Sequence, residues 1–148
     1  MTGATLGVHE ADATLAPLAA ATVAMLADTE LFGTADPARS YAVAELIVGG
    51  KTVSRSLIER LLPKDMAYPD PGLTLRRSGD TATITATNLA RAVMIDMGDT
   101  PGQASDSGFD LLPGESVTVT LSGKQTPVLR TLAPPHAPTP PSSAGAPA

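Results

Sequence analysis

The sequence predicts an all-β protein built as an antiparallel β-sandwich, and three observations carry that prediction. Hydroxyl and apolar side chains alternate along Thr81-Ala82-Thr83-Ile84-Thr85-Ala86-Thr87 and again along Ser116-Val117-Thr118-Val119-Thr120-Leu121. A period of two places Val117, Val119 and Leu121 on one face of a strand and the hydroxyls on the other. Both stretches are rich in β-branched residues, which suit a pleated, half-buried surface. Turn signals recur about every 8–12 residues, the rhythm of a sandwich of short strands.

The elements follow in order. Ala19–Leu26 is ambiguous, since its alanines favour helix while Pro17 and its short length favour strand or loop. Thr34-Ala35-Asp36-Pro37 reads as a loop or a helical cap. Tyr41–Val48 and Thr52–Leu62 flank Gly49-Gly50-Lys51 as a hairpin, because paired glycines supply the positive φ that primed turns need. Tyr68-Pro69-Asp70-Pro71-Gly72 stops any helix or central strand and marks a domain boundary. Ser78-Gly79-Asp80 then joins strands Leu73–Arg77 and Thr81–Thr87. Arg91–Met97 is a further strand, and Leu112-Pro113-Gly114-Glu115 is a turn with proline at its second position and glycine at its third.

The chain of 148 residues therefore divides into a partial sandwich over 1–67, a small complete one over 68–132 and a tail over 133–148. The tail holds no charge and no apolar residue larger than proline, so it is expected to be disordered and to lean toward polyproline II. A proline-rich ligand for a peptide-binding domain is the functional alternative, weakened by the lack of a basic residue near the prolines.

Composition excludes several functions. Without cysteine there is no disulfide framework, thiolate metal site or thiol nucleophile. A net charge of -5 argues against nucleic acid as a partner. No apolar run approaches the ~20 residues that span a bilayer, and Met1-Thr2-Gly3-Ala4-Thr5 lacks the basic start of a secretory signal. A cytoplasmic location with no membrane partner is the resulting expectation. A TIM barrel takes roughly 200 residues or more, beyond this chain's length.

Candidate chemistry is sparse. Gly50-Lys51-Thr52 matches the end of a phosphate-binding loop, but Glu45 stands at the first glycine position and a strand follows where a helix N-terminus belongs. A hairpin turn is the better reading. Asp96, Asp99, Asp106, Asp110 and Glu115 crowd one stretch. Paired carboxylates about 5–9 Å apart serve glycoside hydrolysis, and hard oxygens bind calcium. The spacing fits no calcium loop, and each acid sits beside Gly, Ser or a turn, so turn-forming acids are the simpler reading. His9 and His136 lie near opposite ends of the sequence, and no serine sits in a nucleophile elbow. Sugar stacking needs flat aromatic faces. This chain has no tryptophan and only Tyr41 and Tyr68, while Phe109 belongs with Leu111 and Leu112 in a core.

Two segments carry a resemblance. They are Asn88-Leu89-Ala90-Arg91-Ala92-Val93-Met94-Ile95-Asp96-Met97 and Ser105-Asp106-Ser107-Gly108-Phe109-Asp110-Leu111-Leu112-Pro113-Gly114-Glu115. Together they resemble the C-terminal immunoglobulin-like domain of β-mannosidases in glycoside hydrolase family 2. Ser107-Gly108 departs from that pattern, which commonly has Asn and a further residue there. Leu129-Arg130-Thr131-Leu132 is similar to the closing strand. Leu15-Ala16-Pro17-Leu18, Ala21-Thr22-Val23-Ala24, Tyr41–Val48, Ser54-Arg55 and Leu62-Pro63-Lys64-Asp65 resemble parts of the preceding sandwich. The likeness covers residues 5–132 and is closest over 88–121.

The resemblance implies an immunoglobulin-like fold preceded by a partial second sandwich. It also implies a parent enzyme that hydrolyses terminal β-mannose with retention, through two glutamates of a TIM barrel. No position here corresponds to either glutamate, so the expected catalytic, cofactor-binding and metal residues are none. The implied role is a non-catalytic accessory part whose partners are the catalytic barrel and sandwich domains of a parent mannosidase. The alternatives are a free-standing carbohydrate- or protein-binding module and a small hydrolase using its own acids.

Overall fold

The computed structural model describes residues 1–99 and 101–132, and the tail expected over 133–148 lies outside them. The chain forms two compact units that divide between Pro69 and Asp70.

The first unit begins with an irregular stretch through Ala27, so Ala19–Leu26 is neither helix nor strand. A short helix, α1 (Asp28–Phe32), follows. The Ala27 N–H donates to Glu30 Oε2 at 2.7 Å, and Asp28 and Glu30 place negative charge where the first-turn N–H groups point. Gly33, at φ +53°, ends the helix. Phe32 is buried under the Arg60 guanidinium, 5.2 Å from its ring centroid, and Arg60 also pairs with Asp28 at 2.8 Å.

Strands β1 (Tyr41–Val48) and β2 (Lys51–Glu59) form a two-stranded antiparallel sheet. Val48 pairs with Lys51, leaving Gly49 and Gly50 as a two-residue turn at φ +58° and +75°. Both values are positive, as a type I′ turn requires. Lys51 is already in the strand, and the strand ends at Glu59 instead of Leu62. The chain turns there because Arg60 reaches back to Asp28 and because Pro63 opens a 3-10 turn through Asp65. Tyr68 is buried in this unit and donates its hydroxyl to Glu59 Oε1 at 2.9 Å.

The second unit carries two three-stranded antiparallel sheets. One has the order β3 (Thr74–Ser78), β4 (Thr81–Thr85), β7 (Ser116–Thr120). The other has the order β6 (Phe109–Leu111), β5 (Ala90–Asp96), β8 (Val128–Arg130). Ala82, Ile84, Val119 and Leu121 from the first sheet and its flank meet Ala90, Val93, Ile95 and Leu111 from the second in one core. The opposite face of β4 and β7 is a hydroxyl ladder, with Thr83 bonded to Thr118 at 3.1 Å and Thr85 to Ser116 at 2.7 Å. The period-two reading of these strands therefore holds residue by residue.

Strand ends differ from the sequence expectation where loops compete for the backbone. β4 stops at Thr85 because the N–H groups of Thr87 and Asn88 both go to the Pro71 carbonyl, and that of Ala86 goes to Glu115. Gly72, at φ +57°, fits there because a side chain would bring Cβ within 2.9 Å of Thr87 Cβ. Strand β6 and helix α1 were not anticipated. Both are too short to show a period.

Candidate functional site

The acid-rich stretch of 96–115 is where sequence reasoning placed candidate chemistry, and the structure gives four of its five acids an internal partner. β5 changes register between Ala90 and Val93, so Arg91 and Ala92 together face the single residue Asp110 on β6, and Ala92 sits at φ +47°. Asp110 holds this bulge. Its Oδ1 accepts the Ala92 N–H at 2.8 Å and its Oδ2 pairs with Arg91, whose side chain is only 18% exposed. Ser107 Oγ accepts the Ile95 N–H at 2.9 Å further along the same strand. Asp106 accepts the Ser107 N–H at 2.8 Å. Glu115 closes the Leu112-Pro113-Gly114-Glu115 turn by accepting the Leu112 N–H at 2.9 Å. Asp99 is exposed.

Asp96 lies at the rim of an open groove of about 530 Å³. Met94, Met97, Gln103, Ser107 and Arg130 are among the residues that line it. The Asp96 carboxylate accepts the Gly98 N–H at 2.8 Å and the Arg130 Nε–H at 2.8 Å. These two bonds, the backbone one first, hold its pKa below the ordinary aspartate value against a smaller opposing effect of desolvation. A general acid needs the reverse shift. The groove thus offers an apolar floor and a neutralised ion pair, which suit binding better than proton transfer.

Sequence reasoning missed this groove. It is assembled from β5, the loop after it and β8, and its only local signal is the pair Met94 and Met97. The other candidates are not brought together. Gly50-Lys51-Thr52 is the β1–β2 turn and the start of β2, His9 is exposed in the irregular leading stretch, and His136 lies outside the described residues. Among the described residues no group of three or more His, Asp or Glu is placed to hold a metal ion. No described helix is long and apolar enough to cross a membrane.

Two antiparallel sheets sharing one core, with the strand order found here, make the second unit an immunoglobulin-like β-sandwich. Residues 68–133 match the family model Ig_mannosidase, an Ig-fold domain. Over these residues the chain is similar to the immunoglobulin-like region of a mannosidase-type enzyme. No curated protein matches the sequence.

Proposed function

We propose that the chain is a non-catalytic accessory part of a β-mannosidase-like hydrolase of glycoside hydrolase family 2, packing against the catalytic barrel and sandwich domains of that enzyme in the cytoplasm. One observation carries this reading. The acids that a hydrolase would use are committed to the chain's own backbone and arginines: Asp110 to the β5 bulge, Glu115 to its turn, Asp96 to Gly98 and Arg130. Freeing any of them for a substrate would undo a loop. Exposed aliphatic side chains of the first unit support a partner-facing surface there. Leu46, Ile47, Val48 and Val53 are each 57–59% exposed on the hairpin, and Leu6, Val8, Val23 and Met25 are exposed ahead of it. Exposed aliphatic side chains that gather into one contiguous patch mark an interface.

The purified chain should give no turnover of an aryl β-mannoside. Turnover that persists through repurification, and that Asp110→Asn or Asp96→Asn abolishes, would refute the accessory reading. A second reading, a carbohydrate- or protein-binding module, is favoured by the groove beside Met94 and Arg130. Calorimetric titration with manno-oligosaccharides separates the two, since heat lost on Arg130→Ala would favour the module.

A further inference from the structure

The groove beside β5 and β8 combines two features that neither reading above uses: accessible thioethers and hydrogen-bond donors with nothing to donate to. Met94 pairs with Arg130 across the two strands, so both side chains leave the sheet on one face. That face points outward, because the flanking Ile95 and Leu129 pack into the core. Met94 is 50% exposed. Its sulfur lies over Gly108, 3.7 Å from where a Cβ would stand, so no side chain covers it from that side. Met97 lines the same groove but is half-buried and packed against the core. Its methyl carbon lies 2.8 Å from where a Cβ of Gly102 would stand.

The donors surround these sulfurs. Arg130 spends Nε on Asp96. Among the described residues, its two Nη groups and the side-chain amide of Gln103 donate to no acceptor. The Ser107 oxygen accepts the Ile95 N–H, and its own proton is likewise unspent among the described residues. A thioether is a weak acceptor and does not satisfy such donors. A sulfoxide is different, since its polar S–O bond ends in a strong, uncharged acceptor.

We propose that Met94 is a reversible oxidation site whose sulfoxide oxygen is held by the Nη groups of Arg130, turning the groove floor from apolar to polar. The oxidant is hydrogen peroxide. A lone pair of the Met94 sulfur attacks one peroxide oxygen and the O–O bond breaks. The second oxygen leaves as water with both protons, so sulfur loses two electrons and peroxide gains them. A methionine sulfoxide reductase reverses the step. Met97 is shielded by its packing, so oxidation stops at the exposed residue and spares the core.

Peroxide treatment of the full chain tests this, read by peptide mass mapping and by NMR of the Arg130 guanidinium. Met94 should gain one oxygen several-fold faster than Met97, with Met25, 88% exposed, as the accessible reference. The Arg130 Nη protons should then exchange with water several-fold more slowly, and the reductase should restore both signals. Met94→Gln puts a carbonyl acceptor near the place of the sulfoxide oxygen and should slow the same protons without peroxide. Met94→Leu should leave them unchanged in peroxide. Oxidation of Met97 as fast as Met94, Arg130 protons indifferent to oxidation and to Met94→Gln, or a change that persists in Met94→Leu would each overturn the proposal. These readouts need neither mannoside nor partner, so the proposal and the accessory reading fail separately.

Discussion

Asp110 binds Arg91 and Ala92 at once, one carboxylate oxygen on the guanidinium and the other on the backbone N–H. Through it, strand β6 holds the irregular start of β5 in place. The same carboxylate that made this stretch look like a site for chemistry is what shapes the strand. Asp110→Ala removes both bonds and leaves the half-buried Arg91 without its carboxylate. The expected loss is about 2–4 kcal/mol, and urea unfolding followed by circular dichroism measures it. Asp110→Asn keeps an acceptor for Ala92 and should lose less.

Ala92 sits in the left-handed region at φ +47°. That conformation costs an L-residue about 1–2 kcal/mol relative to its preferred regions, while glycine adopts it freely. Ala92→Gly should therefore stabilise the second unit by about 0.5–1 kcal/mol, the remainder being offset by the greater freedom of glycine in the unfolded chain. An unchanged or lower urea midpoint would show that the bulge is not strained.

Asp96 is expected to titrate below the ordinary aspartate range, chiefly through the Gly98 N–H and secondarily through Arg130. A depressed folded-state pKa means that this carboxylate's contribution to stability is fully present above the unfolded-state value. It is lost as pH falls through the folded-state value. Arg130→Leu should raise the Asp96 pKa only part of the way, since the larger cause remains. Carbon-detected NMR titration of the carboxyl reads this directly, and full reversion would assign the effect to Arg130 alone.

The two units should differ in protection from hydrogen exchange. β4, β5 and β7 surround a core in which Ile84, Ala90 and Val93 are fully buried. β1 and β2 form a lone two-stranded sheet with largely exposed residues, and an isolated hairpin is marginal in water. Amides of β4 and β5 should exchange slowest and those of the β1–β2 hairpin faster. Val119→Asp, which puts an unpaired charge into the core at a cost of several kcal/mol, should remove the protection of the second unit.

The strands were legible in the sequence because alternation is a local property. Thr81–Thr85 and Ser116–Thr120 expose hydroxyls and bury alanine, isoleucine or valine by the geometry of the pleat alone. Gly49-Gly50 and Gly79 declared their turns because few other residues tolerate positive φ. The alternation of Ser116–Thr120 and the Leu112–Glu115 turn also lie inside the segment that matches the mannosidase-type Ig fold.

What tertiary structure alone decided is the destination of the polar groups. Nothing local says that Asp110 serves Arg91, 19 positions earlier, or that Ser107 serves Ile95, 12 positions earlier. In sequence, Asp96, Asp106, Asp110 and Glu115 look like one cluster. In space each is drawn to whichever backbone N–H or guanidinium its own loop leaves unpaired, because a buried or half-buried donor without an acceptor costs more than a turn gains. The groove between Met94 and Arg130 likewise exists only because β8 returns to pair with β5. Residue type and period thus determined the sheets. Where each hydrogen bond is satisfied, and so what the acids are for, was decided by which strands the fold brought side by side.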